Sequence, residues 1–463
     1  MNTIVHRSLS SAAPAELLDV DLYCTIEALE DDLTVSYFSG CTHYSINGKS
    51  WRSYDGSSST PVIKAGETIS FKGSRSYDNA YEGAISVSKK FNLRGDIMSI
   101  VKPGDESFSD SSGFKGLFSG QPVIEVADTF LLSIPDGCNC SKMFNKCTSL
   151  IKPPVFPATN GLGPNCEEMF SGCTSLVNAP ALPATQPLSY RYMFSGCTSL
   201  VDAPALPAME VPSGCYEGMF SSCPSLANAP ALPATKLDTA SYRNMFGGCT
   251  SLVNAPALPA MELKDSCYRY MFSGCTSLVN APTMAPSSLG NYCCASMFSG
   301  CTSLVNAPAL PAEIAVYGCY EYMFSGCTSL VDAPALPATK LGDDCYYGMF
   351  SDCASLIEAP ELPALTLSGE CYCAMFKNCV SLIEAPELLA PKTSIFCYRE
   401  MFYGCSQLNY IKVLSTDVYG QSQNSFKDWV VGVAATGTFV CSADARLYEG
   451  TIPNGWTVEY ADE

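Results

Sequence analysis

The pair Met-Phe recurs at residues 143, 169, 193, 219, 245, 271, 297, 323, 349, 375 and 401, in steps of 26 residues broken by a single step of 24. Leu117-Phe118 stands 26 residues before Met143 and reads as a divergent first copy, which makes twelve units over residues 115–412. A representative unit runs CYEYMFSGCTSLVDAPALPATKL. A fixed period of this length is the signature of a repeat architecture. Each copy supplies about four large apolar side chains, such as Met323, Phe324, Leu330 and Leu336, whose burial is worth about 6–12 kcal/mol. Ordering a stretch of that length costs roughly 26–50 kcal/mol of backbone entropy. A lone copy therefore does not fold. Stacked copies do, because each one hydrogen-bonds to and covers its neighbours. The expected fold is mainly β, a solenoid of about twelve coils and roughly 55 Å in length at about 4.8 Å per coil.

Constant positions should form inward columns, with Phe194, Phe220 and Phe246 beside Leu200, Leu226 and Leu252. The stretch SLVNAPALPA begins as a short strand and continues in polyproline-like form, since Pro204 and Pro207 lack ladder donors. The Met-Phe segment fits either a short helical turn or a second strand. The shortened copy has lost its two residues between Ala184 and Tyr190, which marks a surface turn. Most of the 26 cysteines fall in two columns, one running from Cys147 to Cys405 after the Met-Phe pair and one from Cys215 to Cys397 before it. Ser189 and Ser241 replace cysteine in the second column, so that place requires a small side chain. In-register side chains run parallel and match disulfide geometry poorly. Zinc is disfavoured because no C-x-x-C occurs and the two histidines are His6 and His43. Inert buried thiols, with no metal and no cofactor, are the expectation.

The flanks differ. Residues 1–19 read as a leader or arm, 20–97 as a β-rich domain resembling a small sandwich, 98–114 as a linker and 413–463 as a small α/β cap. The runs LTVSYF, YSINGKSW, TISFKG and AISVSKKFNL are strand-like, and Asn47-Gly48 is a tight hairpin turn. In the cap, SFKDWVVGVA reads as an amphipathic helix with Ser425 as N-cap and Trp429 on its apolar face. TGTFVC and GWTVEY read as strands, with Pro453-Asn454-Gly455 as the turn before the second. The opening MNTIVHRSLSSAAPAELLDVDLYC lacks an uninterrupted apolar core, and no stretch of about 18 apolar residues exists. The expectation is synthesis in the cytoplasm without a signal peptide, free thiols and no membrane insertion. Forty-five acidic against 26 basic residues give a formal net charge of −19, which repels phosphate backbones and argues against nucleic acid as partner.

The unit C-Y-x-x-M-F-x-G-C-T-S-L-x-x-A-P-x-L-P-A resembles the BspA-type leucine-rich repeat. The shared features are seen at Phe324, Cys327, Leu330, Leu336 and Pro337, and the resemblance covers about two thirds of the chain. Ala333-Pro334 stands where that family more often carries a branched aliphatic, which implies a thinner or differently bent coil. The layout, with a β-rich module in front and a GTFV…IPNGW ending, is also similar to proteins of gut anaerobes and their phages or prophages. What this implies is attachment to a cell surface or glycan without chemistry. A virion component such as a tail or head fibre is the leading expectation. Its N-terminal domain would contact other virion proteins, and a homo-oligomer, such as a trimer, is what fibres of this kind imply, although no heptad signal is present. A bacterial cell-associated adhesin is the alternative.

Candidate ligand-binding residues form a stripe three residues before each Met. Its tyrosines are Tyr190, Tyr216, Tyr242, Tyr268, Tyr320, Tyr346, Tyr372 and Tyr398, with Cys294 interrupting them. Exposed rings there would offer a platform for sugars or for a partner's apolar patch. The competing reading packs the rings in the wall with only their hydroxyls outside. Beside the stripe, the pairs Arg191-Tyr192, Glu217-Gly218, Arg243-Asn244, Arg269-Tyr270, Glu321-Tyr322 and Arg399-Glu400 vary from copy to copy, as recognition positions do. A polysaccharide depolymerase is a third reading, because Glu361 and Glu387, like Glu358 and Glu384, share a column one coil apart. The column Asn178, Asp202, Asn228, Asn254, Asn280, Asn306, Asp332 reads as a polar ladder rather than a calcium site.

Overall fold

A computed structural model describes residues 19–74, 84–103, 113–121, 124–127, 134, 138–156, 165–182, 189–415, 424–445 and 450–461. The leader up to residue 18, most of the expected linker and the shortened part of the third full repeat lie outside them. The described chain is strand and turn, with 3₁₀ segments at Val20–Leu22 and Ile97–Ile100 and no α-helix. No helix among the described residues is long and apolar enough to cross a membrane.

The N-terminal part is built from β1 (Cys24–Ala28), β2 (Val35–Phe38), β3 (Cys41–Ile46), β4 (Arg52–Ser53), β5 (Thr68–Gly73), β6 (Ile85–Val87), β7 (Phe91–Arg94) and β8 (Ile124–Val126). They form one sheet in the order β4-β3-β5-β1-β7-β8 and a separate β2-β6 pair. Asn47 and Gly48 both take positive φ, 52° and 65°, as the tight turn read from the sequence demands. Phe38, Phe71 and Tyr54 fill the core, with ring centroids 5.1 and 5.9 Å apart along that series.

This module continues directly into the repeats. β7 pairs in parallel with β8, and Val126 at the end of β8 bridges to Lys152 of the next copy. Lys90 Nζ meets Glu125 Oε1 at 2.6 Å, Gln121 Nε2 donates to the Ile85 carbonyl at 2.9 Å, and the Phe38 ring lies 6.3 Å from Phe118.

Successive repeats lie rung on rung. On the side that follows Ser-Leu-Val, single parallel bridges run from Asn178 to Asp202, Asn228, Asn254, Asn280 and Asn306, and again from Asp332 to Glu358, Glu384 and Tyr410. Short parallel pairs reinforce them: β9 (Glu210–Val211) with β10 (Lys236–Leu237), and β11 (Ile314–Ala315) with β12 (Lys340–Leu341).

The Met-Phe segment is neither helix nor strand but a ribbon of linked turns. Alternate amides reach different partners. Tyr320, Tyr322, Phe324 and Gly326 donate to the carbonyls of Cys345, Tyr347, Met349 and Ser351 in the next rung, at 2.8–3.0 Å. Met323, Ser325 and Cys327 donate within the rung, three residues back, at 3.0–3.1 Å. Closing a turn at every fourth residue requires left-handed backbone there. In one rung Asp344, Gly348 and Asp352 take it, and in the next Glu370, Ala374 and Asn378. For a side chain other than glycine this conformation costs about 1–2 kcal/mol, and the rung-to-rung bonds impose it even on Tyr192, Tyr322 and Phe396.

Inside the ribbon the side chains form continuous columns. The Phe rings from Phe118 to Phe402 stack at 5.5–5.8 Å with interplanar angles of 2–10°. The Met, Leu and Cys columns beside them are fully buried. All 26 cysteines are buried and unbridged. Each thiol of the column after Met-Phe has a role: Cys173 Sγ donates to the Phe144 carbonyl, Cys301 to Phe272 and Cys353 to Phe324, each at 3.1 Å. The thiol thus ties each rung to the one before it while filling a small apolar space.

One expectation fails at the C-terminus. SFKDWVVGVA is not a helix; residues 424–432 are a further rung of the turn ribbon. Tyr398, Glu400, Phe402 and Gly404 donate to the carbonyls of Ser425, Lys427, Trp429 and Val431 at 2.7–3.1 Å. Beyond it, β13 (Tyr410–Val413), β14 (Thr438–Cys441) and β15 (Thr457–Tyr460) form a parallel sheet, so both strands read from the sequence are present.

Burial pushes the thiols of Cys147, Cys223, Cys301, Cys353 and Cys405 up to about 12, from an ordinary value of 9.0. Between those values only the unfolded chain releases these protons, so their contribution to stability is complete below pH 9 and is lost as pH rises towards 12. Urea midpoints should stay level from pH 7 to 9 and then fall steeply. A level profile through pH 11 would contradict the buried thiol columns. At pH 7.5, Phe298→Ala should lower stability by about 3–5 kcal/mol, because it opens a gap in a continuous ring stack.

Candidate functional site

The tyrosine stripe is internal. Tyr190, Tyr216, Tyr242, Tyr268, Tyr320, Tyr346, Tyr372 and Tyr398 are all 1–2% exposed, and neighbouring rings stack at 5.7–6.2 Å, for example Tyr216 on Tyr242 and Tyr346 on Tyr372. Desolvation raises their hydroxyl pKa values far above 10. The hydroxyls of Tyr190 and Tyr320 are buried without a partner, so not even those oxygens reach water. As an exposed platform the column is corrected: in-register stacking places it in the wall as a second aromatic core.

The arginines at the neighbouring positions face outward, whereas Glu217 beside them is buried. Arg191, Arg243 and Arg399 are partly exposed, and each is engaged by its own or adjacent rungs. Glu217 is the hub of the first group: Arg191 Nε approaches its Oε2 at 2.9 Å, Arg243 Nη1 lies 3.9 Å from Oε1, and the Tyr192 hydroxyl donates to Oε1 at 3.0 Å. Arg269 lies between two rings, 5.0 Å from the centroid of Tyr270 and 4.8 Å from that of Tyr292. Arg399 sits over Phe396, while Glu400 is held by Lys377 at 2.7 Å, which keeps its carboxyl below the usual range.

From Arg269 onward the ribbon face becomes aromatic and acidic. Tyr292 meets Tyr317 edge to face at 5.0 Å, and Tyr322 meets Tyr347 at 5.2 Å. Hydrogen bonding with Tyr317, then burial, pushes the Tyr292 hydroxyl up to about 12. Desolvation raises the carboxyls of Glu321, Asp344 and Glu370, against a downward pull from Arg269 on the first and Arg399 on the last. Glycine makes room for these rings. A Cβ on Gly218 would overlap Tyr192, one on Gly318 would overlap Tyr292, and one on Gly348 would overlap Tyr322.

Tyr292, Tyr317 and Tyr347 escaped the sequence reading because they sit outside the constant column. Aligning the copies and asking where tyrosine departs from that column would have found five such residues between 270 and 347. The paired glutamates are all exposed, and Glu387 is held by Lys412 at 2.8 Å, so they resemble a solvated ladder more than an acid and base. Among the described residues no group of three or more His, Cys, Asp and Glu is placed to hold a metal ion. The arrangement offers flat aromatic faces and hydrogen-bonding edges, which suit binding.

Comparison with known proteins bears on the repeats. A family model for the BspA type leucine rich repeat region matches residues 140–278 and 243–360, in six copies. A solved leucine-rich repeat protein from Bacteroides ovatus ATCC 8483 is 18% identical, with a TM-score of 0.47, over 75% of this chain and 80% of that one. No curated protein matches.

Gly218→Ala should cost about 2–3 kcal/mol, from its left-handed φ of 59° and the collision with Tyr192. Adding Tyr192→Ala should recover the steric part and leave roughly 1 kcal/mol. Equal losses in the single and double variants, measured by chemical denaturation, would show that the ring does not rest on that glycine.

Proposed function

The chain is a BspA-like leucine-rich repeat protein, and we propose that it is a non-enzymatic attachment protein whose ribbon face binds a cell-surface glycan or protein receptor. The observation that carries this reading is the division between columns. Phe, Met, Leu, Cys and the constant Tyr are buried throughout the stack. The variable positions beside them gather Tyr270, Tyr292, Tyr317, Tyr322 and Tyr347 on one stretch, with Arg269 among the rings. Varied side chains on a regular frame suit recognition. Tyrosine gives a large contact area with little rotamer entropy to lose, and a hydroxyl to orient the ligand.

We take the whole architecture as a solenoid of about twelve coils between a β-rich N-terminal module and a C-terminal cap. We take its setting as a bacteriophage virion, with the N-terminal module towards the other virion proteins and the ribbon face towards the host. That setting rests on the resemblance of layout, read from the sequence, to proteins of gut anaerobes and their phages or prophages. Tail or capsid genes beside this one would favour the virion over a bacterial adhesin, and their absence would favour the adhesin.

The binding test uses the full chain on a glycan array and on whole bacterial cells. The double variant Tyr292→Ala, Tyr317→Ala should lose at least about tenfold in affinity, since aromatic anchors commonly contribute more than 1–2 kcal/mol. Its unfolding midpoint should change little, because Tyr317 is 42% exposed. Undiminished binding by a folded double variant would remove this face from the proposal.

A further inference from the structure

The two ends of the stack are finished differently. At the N-terminal end, β7 and β8 and the Phe38–Phe118 contact close the first rung against the β module. At the C-terminal end, the interior of the last rung is plugged: Trp429 Nε1 donates to the Thr451 carbonyl at 3.0 Å, and Phe426, Trp429 and Val430 are buried. Its backbone edge is not. The positions that donate to the following rung throughout the stack fall here on Phe426, Asp428, Val430 and Gly432. Their amides have no acceptor among the described residues, whereas the preceding set at Tyr398, Glu400, Phe402 and Gly404 is fully bonded. These four residues line an open concavity of about 640 Å³, bounded on its other side by Gly450, Ile452, Pro453 and Asn454.

We propose that this C-terminal edge is a docking site for a segment of a partner polypeptide that takes up the same turn-ribbon conformation, whose carbonyl oxygens accept from the amides of residues 426, 428, 430 and 432 and so add one more rung. The donor pattern selects the occupant. Every completed rung of the stack answers these four amides with backbone carbonyls at alternate residues, a spacing that a polypeptide reproduces. A second copy docked end to end through the same surface would set donors against donors. A second copy docked head to tail would have to offer a first rung that its own β module already covers. A small anion needs amides that converge, as successive residues in a nest do, whereas these alternate along a ribbon and include acidic Asp428. An open ladder edge with a row of unpaired donors is a ready template for another chain.

The test is hydrogen–deuterium exchange on the full chain, read at single-amide resolution. A synthetic peptide copying residues 397–409 with its cysteines replaced by serine serves as the probe. In the free protein the four amides should exchange fast, while those of Tyr398, Glu400, Phe402 and Gly404 are protected. Saturating peptide should slow the four by at least roughly tenfold and leave the N-terminal module unchanged. Protection of the four amides in the free chain would overturn the proposal, because the edge would already be covered. Failure of the peptide to bind at millimolar concentration, or binding that protects a different surface, would overturn it too.

Discussion

Every second amide of the Met-Phe ribbon is bonded to the neighbouring rung, and the rest of the structure follows from that requirement. A coil with no strand or helix of its own has nowhere else to send those donors. Meeting the next rung bends the chain into turns linked at four-residue intervals, and the bends force left-handed backbone at places held by tyrosine, alanine or glutamate. The strain is tolerable because each rung gains four hydrogen bonds to its neighbour and places its Phe, Met, Leu and Tyr side chains in unbroken columns.

Cysteine fits this scheme for a physical reason. The place beside the Phe column is small and apolar, yet it faces a backbone carbonyl of the preceding rung. A thiol satisfies both conditions, being compact, hydrophobic and a weak donor. Burial raises its pKa and keeps it protonated, so the columns are unreactive where free thiolates would oxidise.

The repeat period, the inward Phe and Leu columns, the free thiols and the terminal strands were legible in the sequence because they follow from spacing. Two features were hidden by that same spacing. Tyr398, Met401, Phe402 and Cys405 recur at intervals of three, one and three residues, and so do Phe426, Trp429, Val430 and Val433. That pattern matches one face of a helix, which is why the last rung passed for one. It belongs equally to this turn ribbon, and only the bonds to Tyr398 through Gly404 distinguish them. The left-handed positions left no trace in composition, since the neighbouring rung rather than local propensity dictates them. Tyr292, Tyr317 and Tyr347 were obscured by the constant column, whose regularity drew attention to rings that prove to be internal. Recognition, in this account, rests on departures from the repeat, and stability on the repeat itself.

The central claim is that rungs are interchangeable units joined by nearest-neighbour bonds. Deleting one whole period, residues 293–318, tests it most directly, because Tyr268 would then stack on Tyr320 and the interruption at Cys294 would vanish. The account predicts a folded chain with one cooperative thermal transition and a stack shortened by one rung in small-angle scattering, while deletion of residues 293–305, half a period, abolishes folding. A full-period deletion that unfolds the chain, or a half-period deletion that is equally well tolerated, would contradict it.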